Sequence, residues 1–400
     1  MKTKSHLMRR MNKVNPIKFT YLMLLFATLS YSQNEKRAVI LDKEDKHPIE
    51  FVNIYNSKDF TTSNEDGNFL FTSNLDSIYF YVGGYNKLKG TFNEIADTVY
   101  LEKSVFELDE IIVTHKKGLL DILLDGIENY AFEPYHEKFL LRSVLKYNDN
   151  IVRIQDIQGK LSRKTLLYTD DIKLSKKDYK VEITNMRKIG VLKDNKDAYF
   201  KFPSFNYLLL NFVPFGITKD SFELKEQAFD NGTKTKWNFT STYPKELGTA
   251  EGSYIINSKN NAIEYFEINK ILKKYNYQTT EQIKYRTDNL RTKIYLSKDE
   301  LRNKYFINYA KFNTRIEVTD FKNSFTSYYD LEFILTTSEN FKEMNVKSNI
   351  RESEDIFKLH YRYNKEFWNQ ENQLLLTNEM NDFITKIKNE ENKMNVKSNF

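Results

Sequence analysis

Short runs of aromatic and β-branched residues, each ended by a turn signal, fill this chain and constrain its fold more than any other feature. Seven such runs stand between Lys36 and Thr114: KRAVILD, FVNIYN, FTTS, NFLFT, SIYFYVG, DTVYLE and LDEIIVT. Turn-prone residues separate them at Lys43 to Pro48, Asn64 to Gly67 and Gly83-Gly84, and no helical period intervenes. The expectation is a seven-stranded antiparallel β-sandwich over residues 33–114. Composition agrees, because 30 Phe and 27 Tyr stand against only 12 Gly and 6 Pro, a balance suited to pleated packing faces.

One stretch within this region, TTSNEDGNFLF (Thr61 to Phe71), raises the question of a metal or phosphate loop. An EF-hand placed with Gly67 at its invariant glycine would put Ser73 where a bidentate carboxylate is required. A phosphate loop needs several glycines and a following helix, whereas Gly67 leads into an apolar strand. Asp66-Gly67 is instead the chemistry of a tight hairpin turn.

Beyond Thr114 the pattern changes. The segment KKGLLDILLDGIENYAF (Lys116 to Phe132) sets Leu119, Leu120, Leu123, Leu124, Ile127 and Tyr130 at helical spacing, giving a linker helix over 115–135 that faces a core. Residues 136–400 then read as a larger antiparallel β-sheet or half-barrel. Its clearest pair is GSYIINSKNNAIEYFEI, two strands joined at Ser258 to Asn261. The most apolar stretch after the leader is SFNYLLLNFVPFGI (Ser204 to Ile217). Filling a core is its ordinary role, and it also offers a surface for an apolar ligand or a partner through Tyr207, Leu208, Leu209, Leu210, Phe212 and Phe215. Near the end Thr377 is placed to cap a helix with Met380, Phe383, Ile384 and Ile387 on one side. The hexapeptide MNVKSN occurs twice, at Met344 to Asn349 and at Met394 to Asn399.

The first 32 residues carry Lys2, Lys4, Arg9, Arg10, Lys13 and Lys18, no acid, and then the apolar run Phe19 to Leu29. A basic start, a short apolar core and small residues before Gln33 form a secretory signal peptide, with Met8 or Met11 as alternative starts. A bilayer span needs about 20 apolar residues, so an uncleaved anchor fits less well. Removing these six cations from 61 leaves 55 Lys and Arg against 55 Asp and Glu. No field remains to attract nucleic acid. The absence of cysteine excludes disulfides, thiol chemistry and an N-terminal lipid on cysteine.

HPIEFVNIYNSKDFTTSNEDGNFLF, IYFYVGGYNKLK and ELDEIIVT, in that order, resemble the carboxypeptidase-regulatory-like domain, although the usual glycine of the first strand is missing from KRAVILD and Gly83 is doubled. The resemblance implies a transthyretin-like β-sandwich of an exported protein of a Gram-negative bacterium. Such domains precede the plug of TonB-dependent outer-membrane receptors, with a segment like Leu108 to Thr114 at the junction. The whole chain is similar to exported, uncharacterised proteins with this domain ahead of a β-rich region. The GSYIINSKNNAIEYFEI pair also resembles the half-barrel of periplasmic lipoprotein carriers, whose curved sheet holds acyl chains.

Only 286 residues follow Thr114, too few for a 22-stranded receptor barrel with its plug. No residue set reads as catalytic, cofactor-binding or metal-ligating. His47 and Glu50 match the spacing of two zinc ligands and lack a third. His115, His136 and His360 stand apart, and the paired acids Asp109-Glu110 and Asp170-Asp171 read as solvated. The expected function is therefore a non-catalytic binding or scaffold protein of the periplasm or outer membrane, acting on a protein partner or an apolar ligand. The alternatives are a half-barrel carrier of lipid, a small outer-membrane barrel suited by the terminal Phe400, and a hydrolase with dispersed carboxylates.

Overall fold

A computed structural model of the chain describes residues 34–104, 118–166, 179–191, 202–214, 221–229, 232–243, 248–272, 277–280, 283–390 and 396–398. The leader, Leu108 to Thr114, His115, Asp170-Asp171 and Phe400 lie outside the described residues. Two compact units divide the chain, the first holding residues up to Lys103 together with Asn372–Leu375.

The first unit has strands β1 (Asn34–Asp42), β2 (Asn53–Tyr55), β3 (Phe60–Thr62), β4 (Asn68–Ser73), β5 (Ser77–Tyr81), β6 (Leu88–Thr91) and β7 (Thr98–Leu101). They form two sheets, ordered β4-β1-β7 and β3-β2-β5-β6. Alternate residues bury along β1, β2, β4, β5 and β7, and Phe69 of one sheet meets Phe80 of the other edge-on at 5.7 Å. Two details differ from the sequence reading. Strand β6, LKGT, has one large apolar residue and gave no strand pattern. Strands β1 and β7 pair in parallel, from Val39↔Thr98 to Asp42↔Leu101, so the sandwich is not wholly antiparallel. The edge of β3 is covered within this unit by Asn372–Leu375, where Thr62 N donates to Gln373 O at 3.3 Å and Asn372 Nδ2 donates to Thr72 Oγ1 at 3.2 Å.

The Asp66-Gly67 turn forms as expected. Asn64 Oδ1 accepts from the amides of Asp66 and Asn68, and Gly67 has φ +75°. A Cβ on Gly67 would lie 2.4 Å from Ile40 O, so only glycine fits. The hairpin expectation is corrected, because β3 pairs with β2 while β4 pairs with β1. Buried Ser63 explains the difference: its Oγ donates to Ile49 O at 2.8 Å and accepts from Val52 N at 2.9 Å, which carries the chain across the core to the other sheet.

The second unit is built on one antiparallel sheet. Its strands are β8 (Tyr135–Tyr147), β9 (Asn150–Arg163), β10 (Tyr179–Val191), β11 (Phe222–Phe229), β12 (Lys234–Ser241), β13 (Thr249–Asn257), β14 (Ile263–Ile271), β15 (Gln278–Thr279), β16 (Ile283–Asp299), β17 (Lys304–Asp320), β18 (Thr326–Ser338) and β19 (Val396–Ser398). The order is β11-β12-β13-β14-β16-β17-β18-β8-β9-β10-β19, with β15 on β16. The GSYIINSKNNAIEYFEI pair is β13 and β14, as read. The end strands β11 and β19 do not pair with each other, so the sheet is open and the small-barrel alternative is set aside. Bulges between Leu145 and Lys146, Ile183 and Asn185, Thr287 and Asn289, and Tyr295 and Leu296 bend its strands.

Helices α1 (Leu119–Asp125), α2 (Phe205–Asn211), α3 (Lys365–Gln370) and α4 (Asn378–Glu390) complete this unit. In α1, Leu119 and Ile122 are buried while Leu120 and Leu124 are exposed, so the expected face is rotated and the helix stops at Gly126 before Pro134. Thr377 Oγ1 accepts from Met380 N at 3.2 Å, and Met380 and Ile387 of α4 bury against Val144, Ile154 and Ile189 of the sheet, as the spacing predicts. Both MNVKSN copies reach the same strand. Asn349 of the first brackets Ile183 of β10 through its side-chain amide, and Val396–Ser398 of the second pairs with Ile189 to Val191.

Candidate functional site

The two faces of the large sheet differ in chemistry. On β17 a bulge at Asn308 sets Ile307, Ala310, Phe312, Ile316 and Val318 on one side. On the other side lie Lys311, Arg315 and Glu317, paired with Glu332, Asp330 and Arg286. The apolar side continues as one cluster across the sheet, through Phe333 of β18, Phe139 and Leu141 of β8, Phe266 of β14 and Phe239 of β12. Phe239, Tyr254 and Phe266 form an aromatic set with centroids 4.8–6.4 Å apart. Gly252 allows it, since a Cβ there would come within 2.5 Å of the Phe239 ring.

Helix α2 covers part of this face. Phe205, Leu208, Leu209 and Phe212 fall at i, i+3, i+4 and i+7, which turns them together onto the sheet. Ser204 caps the helix by accepting from Tyr207 N. Phe205 meets Phe139 edge-on at 5.8 Å, and Tyr207 meets Phe312 at 5.9 Å. Of the residues singled out in the sequence, Leu208, Leu209 and Phe212 are buried inward, Tyr207 and Leu210 are exposed at 43 % and 44 %, and Phe215 lies outside the described residues. The start of the helix is tied to the segment 352–356: Phe202 N donates to Asp355 Oδ2, Asn206 N to Glu352 O and Ile356 N to Pro203 O.

Polar groups interrupt the apolar face at the end where β8 begins. Tyr135 faces Arg163 across the ladder, and Glu137 follows two residues later on the same side. Glu137 and Arg163 are fully buried and ion-paired through Oε1 and Nη2. Burial pushes the Glu137 carboxyl above its ordinary range, and the guanidinium opposes this without cancelling it. Sequence reasoning missed this pair; a lone acid within the Tyr135, Phe139, Leu141 alternation was the available signal. The opposite face of the same strands holds Asp156, also fully buried, between Arg142 and Arg187. Burial alone would raise its pKa, but the two guanidinium charges and their hydrogen bonds hold it below the usual carboxylate range.

The zinc-like pair does not assemble a site. His47 is exposed, and its amide donates to Asp45 Oδ1 at 3.0 Å. Among the described residues no group of three His, Asp or Glu could hold a metal ion. His136 lies on β8 and His360 meets Lys188 Nζ at 3.3 Å, so these two do not converge.

No family model matches the chain, and no curated protein matches it. Among solved structures it is similar to lipovitellin, in a study of its lipid–protein interactions, with 9 % identity and a TM-score of 0.25 over 56 % of this chain and 27 % of that one. It is also similar to a LolA superfamily protein from Nitrosomonas europaea, with 7 % identity and a TM-score of 0.22 over 57 % of this chain and 93 % of that one. Superpositions this loose carry no functional weight.

Proposed function

We propose that this chain is a non-catalytic binding protein of the cell envelope whose large sheet carries an apolar, acyl-type ligand beneath α2. The observation that carries this reading is an apolar face running across an open sheet and capped over Phe139 and Phe312 by a seven-residue helix. A helix this short contributes little stability of its own and is held by its inward side chains. Leu210 is exposed on its outer side, so α2 is apolar both inward and outward, as suits a cover that exchanges sheet contacts for ligand contacts. The regulatory-like first unit and the signal-type leader support export and an envelope location.

The test is detergent-free purification from the envelope followed by organic extraction and mass spectrometry. Acyl lipid released in near-stoichiometric amount is the expected result. A protein that releases none and takes up no fluorescent acyl probe is not a carrier, and reproducible protein partners in its place favour a scaffold.

A further inference from the structure

We infer that Tyr135, Glu137 and Arg163 form a recognition site for the uncharged polar linkage, an ester or amide, of an acyl-chain ligand. This rests on the carrier reading and adds the chemistry at one end of the ligand. The three side chains are 6 %, 0 % and 0 % exposed, yet they make one hydrogen bond among themselves, from Arg163 Nη2 to Glu137 Oε1. Glu137 Oε2, Arg163 Nε and Nη1 and the Tyr135 hydroxyl have no hydrogen-bond partner. Four orphan polar atoms at one buried spot are out of keeping with a merely structural ion pair, since native folds satisfy nearly all such atoms. They form a set of donors with an adjoining acceptor.

The charge of the set selects the class of ligand. Glu137 and Arg163 already neutralise each other, so an anionic or cationic group brought beside them would be buried without compensation. A carbonyl oxygen can instead accept from Arg163 Nε or Nη1 and from Tyr135, while a neighbouring hydroxyl or amide N–H donates to Glu137 Oε2. Phe139 is the next residue on that face and sits under Phe205 of α2. An acyl chain leaving the linkage would therefore run directly onto the covered apolar surface.

The experiment uses the full chain and three probes: diphenylhexatriene, a purely apolar fluorophore; 1-monopalmitoylglycerol; and palmitate. Displacement of the fluorophore is compared in the wild type and in the volume-matched Glu137→Leu/Arg163→Met double variant. Expected is equal fluorophore uptake by both proteins, with monopalmitoylglycerol binding weakened about tenfold or more in the variant, a loss of about 1.4 kcal/mol. Equal monopalmitoylglycerol affinity in both proteins overturns the inference, as does a wild-type preference for palmitate. Failure of the wild type to bind the fluorophore removes the carrier reading itself. If the double variant does not fold, Tyr135→Phe gives the same reading from one hydroxyl. It is expected to lose about two- to tenfold for monopalmitoylglycerol alone, and no loss overturns the proposal.

Discussion

Strands β8 and β9 bury an arginine–carboxylate pair on each of their faces, and the two pairs are completed differently. Asp156 accepts from Arg142 Nε and Nη2 at 2.9 and 3.1 Å and from Arg187 Nε at 2.9 Å, and Arg187 lies over the Trp368 ring at 4.7 Å. Glu137 and Arg163 share one bond and leave polar atoms unmatched. An unsatisfied buried polar atom costs about 1–3 kcal/mol. The saturated pair therefore fixes the register of three strands, while the deficient pair leaves bonding capacity on the face that α2 covers.

The largest effect that sharpens this contrast is expected from Asp156→Ala. It strands Arg142 in the interior and should cost about 3–5 kcal/mol in urea unfolding. On α2, Leu208→Ala is expected to lose about 2–5 kcal/mol, against at most about 0.5 kcal/mol for exposed Leu210→Ala. Equal losses would break the assignment of inner and outer faces. Next, Glu137→Leu/Arg163→Met is expected to be neutral or to gain up to about 4 kcal/mol, because a volume-matched apolar pair removes the desolvation cost. A loss as large as that of Asp156→Ala would make the two pairs equivalent and remove the contrast.

The smallest effect is in pH. Asp156 has a folded pKa below its unfolded value of about 3.9, so its contribution is full above that value and is lost only as pH falls through the folded one. Glu137 has the opposite sign. Its folded pKa lies above the unfolded value of about 4.3, so its contribution to stability declines as pH rises from there through the folded value. Compared with Glu137→Gln, the wild type should therefore gain stability on acidification from neutral pH toward that value, whereas Asp156→Asn should show a constant difference over the same window. Urea midpoints at several pH values measure both.

Features that depend on neighbours in sequence were readable. The β13–β14 hairpin, the Thr377 cap and the buried side of α4 follow from local patterns, and so does the two-sheet character of the first unit. The apolar run Ser204 to Ile217 stood out in the sequence, though neither its helix nor which of its side chains face inward was read from it. What escaped depends on pairing across many residues. The Ser63 hydrogen bonds that carry the chain between sheets, the parallel β1–β7 pair and the meeting of Glu137 with Arg163 are all set by register. The repeated MNVKSN also gains meaning only from the fold, because both copies lie against β10, whose edge would otherwise be open.

The most direct test is photo-crosslinking of the full chain with a diazirine-bearing acyl probe, with the labelled peptides mapped by mass spectrometry. Labels concentrated on α2 and on the apolar side of β8, β14, β17 and β18, at residues such as Leu209, Phe266, Phe312 and Phe333, are the predicted result. Labels centred on the charged side, around Lys311, Arg315 and Asp330, or confined to the first unit, would contradict it.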